Sequence, residues 1–519
     1  MLPLCSMAQE EFSVLRGNCM PDLEDASPAH RTARLPAINH RWDADRTYRQ
    51  LVILVSFRDA DFSCDNPMEY YDRLFNEPDF NEKKRNANGC VADYFRDQSG
   101  GLFNLKFDVY GPIKVDTLAQ PYSHPTASTK NYGKDILRRA TLQFLDSVAA
   151  GVYDNCGWDG DFAKYDWNNN GYTNQVIYVY AGVSGNINAE QCYGHIWPNT
   201  SYFTSSVSTP DGKKIDSYSC SGELWPSSSI SRCGLGTIAH EFSHCLGLPD
   251  IYPTRDDDDY SVCDEWDLMD GGNFTNYGFC PPNYTALEKY LMGWFEFTEL
   301  DAPTTVTGLK PVAEGGEVYR IKHSDSEWYL LENRQQRGWD LGVPGKGLVI
   351  YHVNYDGSVW RGNTLNNDPM KRRFYLVPAD NKNYSTWDEE IGDKNPYAKS
   401  PRLNNRHLST SPYPYVVDNE VLNNQLTDTS VPAALMFYPD GTLLGKPITN
   451  ITMTDDGLVS FDFMGGATGI DAVRTKTDAK VAGIYDMSGR RVETMQSGQL
   501  YIVRQKDGTV QKHFYNGIR

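Results

Sequence analysis

The stretch Thr237-Ile-Ala-His240-Glu241-Phe-Ser-His244-Cys-Leu-Gly247-Leu-Pro249-Asp250 holds two imidazoles and two carboxyls at spacings that suit metal chemistry. On a helix, residues four apart share one face, so His240 and His244 point the same way. Two imidazoles so placed reach one Zn²⁺ at about 2.0–2.1 Å each. Glu241 follows the first imidazole and suits a general base acting on a zinc-bound water. Gly247 tolerates the left-handed backbone that ends a helix, and Pro249 forbids its continuation. The chain then folds back and offers the Asp250 carboxylate as third ligand, which leaves the open position a catalytic zinc needs. Glu223, His195 and the run Asp256–Asp259 are rivals for that ligand, but none follows such a turn. A His pair alone also fits an ordinary polar helix face. The added Gly and acid, and a Met-turn candidate at Trp266-Asp-Leu-Met269-Asp-Gly-Gly272, set this stretch apart.

The segment Gly234-x-Gly236-Thr-x-x-His-Glu-Phe-x-His-x-Leu-Gly-Leu-Pro-Asp250, followed by Trp266-Asp-Leu-Met269, resembles the immune inhibitor A-like metallopeptidases, a secreted, zinc-dependent, metzincin-like family. The resemblance implies zinc ligands at His240, His244 and Asp250, Glu241 as base, and Met269 beneath the metal. The commoner metzincin pattern has a third His; Asp250 stands in its place here. Asp270 and Gly271 stand where some metzincins carry a Tyr, so no second transition-state donor is assigned.

Elements must hold these residues. Gln50–Ser56 is a short apolar run read as a buried strand, and Asn174–Tyr180 is a second, closed by Gly182. Leu102–Val115 reads as a strand or hairpin. Val91–Gly100 reads as a short helix, and Lys134–Val148 as a longer one backing the sheet, with apolar residues at helical spacing. Tyr193–Pro198 and Tyr218–Leu224 are expected at the substrate-facing edge. Pro282–Trp294 reads as a helix capped by Asn283 and ended at Gly293. Beyond residue 300 helical periodicity fades; Trp328–Glu332 and Lys346–Val353 read as strands of an antiparallel β-sandwich.

Asp166, Asn168, Asn170 and Asn174, with Gly171 between and Tyr172 at the backbone-carbonyl position, match most of an EF-hand-type loop and predict a structural Ca²⁺ site. Ile177 replaces the bidentate Glu, and the alternative is a polar turn.

The fold class expected is α+β. A metzincin-like protease domain (46–300) precedes a β-sandwich (301–465) and a small all-β domain (466–519). The last resembles the sorting domains by which some double-membraned bacteria export proteins, which implies export machinery as a partner. Residues 1–8 read as the remnant of a signal peptide, with Ser6 and Ala8 at the −3 and −1 positions. Residues 9–45 form an N-terminal extension and candidate pro-segment. It carries Cys19, read as half of a disulfide or, alternatively, a latency ligand. Without Cys5, ten of the 11 Cys remain, an even number that makes disulfides expected in an exported protein. A net charge of −19 argues against nucleic acid as partner, and no apolar run is long enough to span a bilayer. The function expected is a secreted or cell-surface zinc endopeptidase acting on protein or peptide substrates. The alternative is an adhesin or glycan-binding protein on a protease-like scaffold.

Overall fold

The computed structural model describes residues 13–14, 42–82, 88–120, 127–188, 192, 194–226, 231–254, 262–368, 371–382, 408–435, 442–466 and parts of 481–515. The signal-peptide remnant, Cys5, Cys19, Asp256–Asp259 and the linker after Gly466 lie outside them.

In chain order the strands are β1 (Ser13–Val14), β2 (Thr47–Phe57), β3 (Asn104–Val115), β4 (Val176–Val183), β5 (Ile187–Asn188), β6 (Asn199–Ser208) and β7 (Lys214–Leu224). The helices among and after them are α1 (Pro67–Asn76), α2 (Val91–Gln98), α3 (Ala127–Ala149), α4 (Gly236–Cys245) and α5 (Ala286–Leu291). One five-stranded sheet runs β3-β2-β4-β7-β6. Its first four strands are parallel and only β6, at the edge, is antiparallel. Parallel strands are covered on both faces. Phe107 and Tyr110 on β3 lie an odd number of residues apart and so face opposite ways. Phe107 meets Phe242 of α4, with ring centroids 6.3 Å apart, and Tyr110 meets Phe144 of α3 at 5.8 Å.

The expected helices and strands of this region form, with shifted ends. Cys90 caps α2 in a reciprocal box with Asp93, and Gly100 and Gly101 stop it at positive φ. The helix expected over 282–294 is only Ala286–Leu291. Its cap is Thr285 and not Asn283, because Glu288 three residues on completes a capping box with Thr285. The Tyr218–Leu224 stretch is an interior strand, β7; the edge is β6, which its mixture of Asn, Thr and Ser had concealed.

After residue 297 come β8 (Thr298–Glu299), β9 (Thr304–Leu309), β10 (Tyr319–Lys322), β11 (Glu327–Arg334), β12 (Gly347–Asn354), the short helix α6 (Gly357–Arg361), β13 (Phe374–Leu376), β14 (Tyr415–Val417), β15 (Glu420–Asn423), β16 (Ile448–Met453) and β17 (Val459–Phe463). A second five-stranded sheet runs β13-β12-β11-β10-β8, and a three-stranded sheet β16-β17-β9 faces it. On β11 and β12 both faces are buried, and alternate residues serve two cores. Tyr329, Leu331, Leu348 and Ile350 join the cluster shared with the three-stranded sheet. Trp328, Leu330, Val349, Tyr351 and Val353 join the same cluster as Val52, Val179 and Phe242. The core around the first sheet thus continues across residue 300. A last three-stranded sheet holds β18 (Val481–Asp486), β19 (Gln499–Gln505) and β20 (Val510–Tyr515). The architecture is α+β.

Cys64, Cys90, Cys156, Cys192, Cys220 and Cys263 are free thiols, in contrast to the disulfides expected. Several serve as small buried side chains: Cys90 caps a helix and Cys220 and Cys263 sit in the core.

Candidate metal centre

Helix α4 starts where its backbone presses on the turn at Asn273. A Cβ on Gly236 would lie 2.0 Å from the Asn273 carbonyl oxygen, so only Gly fits there. Ile238, Ala239 and Phe242 face the core, with Phe242 edge-on to Phe95 at 5.2 Å. That orientation turns His240 and His244 together to the other side. The helix ends at Cys245, and Gly247 reverses the chain at a φ of 103°.

The reversal delivers Asp250. Its Oδ1 lies 3.2 Å from His240 Nε2 and 3.3 Å from His244 Nε2. All three side chains are buried, and they are the sole group of three or more potential metal-binding side chains converging on one point among the described residues. His240 Nδ1 is 2.9 Å from the Leu268 carbonyl, and His244 Nδ1 is 2.7 Å from that of Leu248. A carbonyl only accepts, so each Nδ1 carries its hydrogen and each Nε2 is the metal-facing atom. Burial raises the Asp250 carboxyl, but His244 and His240 outweigh it and hold the group well below the usual carboxylate range. Burial likewise works against a charged His240, yet the Asp250 hydrogen bond and the charges of Glu241 and Asp250 raise it to about 9. A donor set that draws a proton this strongly is a donor set for a cation. The residues fit a metal ion held by two imidazoles and one carboxylate.

Glu241 is buried beside this cluster. Burial pushes its carboxyl up to about 7, against the pull of His240 and His244. Thr200 on the edge strand β6 donates to both the Glu241 carbonyl, at 2.6 Å, and Glu241 Oε2, at 3.1 Å. Met269 is fully buried in the turn behind the cluster, and its carbonyl accepts from the Ile251 amide at 2.9 Å. The Met-turn therefore fixes the residue after Asp250 and, through Leu268, the ring of His240.

The rival ligands lie elsewhere. Glu223 is spent at the end of β7 on the Ser63 amide (2.7 Å), the Ser63 hydroxyl (2.6 Å) and the Gly182 amide (3.3 Å). His195 is outside the cluster, and burial pushes its imidazole down to about 4.

The structure gives the Ca²⁺ expectation no support. Asp166 accepts from the amides of Asn170 (3.0 Å) and Gly171 (2.9 Å) and pairs with the Lys213 ammonium at 2.8 Å. Burial opposes its charge, but Lys213 and these amides hold it below the usual carboxylate range. Asn170 Oδ1 accepts from the Tyr172 amide and Asn174 Oδ1 from the Trp167 amide, at 3.0 and 3.1 Å. Oxygens of Asp166, Asn170 and Asn174 are engaged within the loop, and a lysine from the β6–β7 connection supplies a positive charge, which suits the alternative of a polar turn.

Residues 44–295 match the family described as immune inhibitor A peptidase M6, catalytic domain. The matched segment, just under half of the chain, is similar to that family's catalytic domain. A curated relative, Immune inhibitor A of Bacillus thuringiensis subsp. alesti, is 25% identical over 305 residues, covering 51% of this chain and 43% of the relative. The chain thus spans less than half of that relative's length. The match supports a metallopeptidase domain, and the His240–His244–Asp250 cluster falls inside the matched segment.

Two contributors to the site carry no motif, Thr200 and Asn363, and Asn367 anchors the loop that bears Asn363. Asn363 contacts Asp250, and Asn367 accepts from the Thr254 amide at 2.7 Å. The two asparagines lie beyond the family-matched residues. The Asn-rich run Asn363-Thr-Leu-Asn366-Asn367 was the one signal in the sequence, and it reads equally well as a surface loop.

Proposed function

We propose that the chain is a secreted zinc endopeptidase that cleaves peptide bonds in protein substrates. The observation that carries this reading is the convergence of two imidazole Nε2 atoms on one carboxylate oxygen, with a buried Glu alongside. His240, His244 and Asp250 hold the ion. A zinc ion held there would supply Lewis acidity toward a water and the scissile carbonyl. Glu241 takes the water's proton and passes it to the leaving amine. Its carboxyl is raised by burial, which suits a group that must both accept and return a proton. Thr200 fixes the carboxylate's direction. A substrate strand laid along β6 would gain main-chain register from the edge of the sheet.

In this reading 46–300 is the peptidase domain and 301–465 its buttress. The separate sheet β18–β20 is the core of a sorting domain that engages export machinery. Secretion accords with the similarity to immune inhibitor A. None of the described helices is long and apolar enough to cross a membrane.

The test is casein hydrolysis by the full-length chain, with zinc content measured in parallel. Hydrolysis that a chelator abolishes and zinc restores is expected. A chain that carries zinc yet leaves casein intact overturns the endopeptidase reading in favour of a binding protein on a protease scaffold.

A further inference from the structure

The loop after α6 reaches back from outside the M6 segment and grips the residues that follow the α4 reversal. Asn363 makes a closed pair of bonds with Asp250. Its Oδ1 accepts from the Asp250 amide at 2.7 Å, and its Nδ2 donates to Asp250 Oδ2 at 2.6 Å. The two bonds fix each other: the amide N–H requires the oxygen on one side, and the carboxylate requires the nitrogen on the other. Asn363 is itself constrained. Its φ is 53°, a left-handed conformation that Asn adopts more readily than most residues. Its amide donates to the Trp360 carbonyl at 3.2 Å, and its carbonyl accepts from Thr254 Oγ1 at 2.8 Å. Asn366 Nδ2 holds the Ile251 carbonyl at 2.7 Å and Asn367 Oδ1 the Thr254 amide at 2.7 Å. The consequence is a sorting of the two Asp250 oxygens. Oδ2 faces the amide, and Oδ1 faces both imidazoles.

We propose that Asn363 is a positioning residue for the metal ligand Asp250, and that it makes this carboxylate bind through Oδ1 alone. The assignment rests on the metal site described above. Swinging Oδ2 onto the ion would break a buried, charge-assisted hydrogen bond and leave the amide nitrogen without that partner. Monodentate binding keeps the protein at three ligand atoms and leaves room for water and substrate. Groups that orient a metal ligand in this way are worth about 10–100-fold in metal affinity. The peptidase site is therefore completed by a loop on the second sheet, between β12 and β13.

The test uses the full-length chain and two substitutions. Asn363→Gly keeps the left-handed backbone and removes the amide. Asn363→Asp keeps the shape but turns an acceptor toward Asp250 Oδ2. Zinc affinity is measured by competition with a chromophoric chelator, and the coordination geometry by the visible spectrum of the cobalt-substituted protein. Both variants are expected to bind zinc about 10–100-fold more weakly and to change the cobalt spectrum, while the circular dichroism of the metal-free chain stays as in wild type. Asn367→Ala, which frees Thr254 but leaves the Asp250 pair, is expected to keep the wild-type spectrum. Wild-type affinity and spectrum in both Asn363 variants overturn the assignment and leave the zinc site standing. An equal spectral change in Asn367→Ala also overturns it, because the loop would then act only as an anchor. A wild-type chain with no zinc affinity overturns the proposed function itself and this assignment with it.

Discussion

Replacing Glu241 by Ala removes a carboxyl that lies beside the ligand atoms without being one of them. The expected outcome is a folded chain with one zinc per molecule and hydrolysis reduced by about 10²–10⁴-fold, the usual worth of a positioned base. Asp250→Ala is the contrasting case. It removes the atom on which both imidazoles converge, so zinc affinity and activity are expected to fall together. Metal titration and peptide cleavage on both variants separate the roles. Equal zinc loss in the two would mean that Glu241 is a ligand, and wild-type cleavage by Glu241→Ala would remove it from the chemistry.

Between the Met-turn and α5 the chain buries two acids against each other. Burial and the charges of Glu288 and Asp270 raise Asp267 above the usual carboxylate range, and burial raises Glu288 to about 7 against the pull of Thr285, Asp267 and Arg334. Asp267 Oδ2 and Glu288 Oε1 find no hydrogen-bond donor when both acids are ionised; one proton shared between them satisfies both. The folded state therefore holds that proton more tightly than the unfolded chain does. The stability it contributes is fully present below the ordinary carboxylate range and is lost as pH rises through the elevated folded value. Glu288→Gln places an uncharged donor opposite Asp267 while an amide oxygen can still cap Thr285. It is expected to flatten the decline in unfolding free energy with rising pH, as read from urea melts across the acidic to neutral range. An unchanged slope would mean that the pair is not the source.

Across the whole molecule, β11 is the member that ties the two regions together. Arg334 is fully buried, with Glu332 at 2.9 Å and Asp340 at 2.5 Å, and it donates to the Asn283 carbonyl at 3.3 Å. Glu332 in turn accepts from the Ala286 amide at the start of α5, at 3.0 Å. Arg334→Met leaves two carboxylates buried without their cation and is expected to cost about 3–5 kcal/mol. Because the core is continuous from Val52 to Tyr351, the loss is expected in one cooperative transition monitored by calorimetry. Two separated transitions would make 46–300 and 301–465 independent folding units. The tail is the opposite case. Deleting residues 466–519 is expected to preserve casein cleavage and abolish surface delivery in the native host. Normal delivery of the shortened chain would leave the tail with a structural role only.

The sequence by itself determined the parts whose chemistry is local. A spacing of four on a helix fixes His240 and His244 on one face, and Gly247 with Pro249 forces the turn that brings Asp250 back. Apolar runs of strand length marked β2, β4, β11 and β12, since burial on both faces demands such runs. What the sequence left open was every choice that depends on distant partners. The Asp166 loop has the oxygens for a cation, but Lys213, far along the chain, neutralises the one carboxylate. The boundary expected at residue 300 follows a change in periodicity, which carries no signal of the two cores in which β11 buries alternate side chains. Thr200 and Asn363 carry no motif because a hydroxyl or an amide acquires a role only from what lies opposite it. Only the tertiary structure sets Thr200 against Glu241 and Asn363 against Asp250, across 41 and 113 residues of chain.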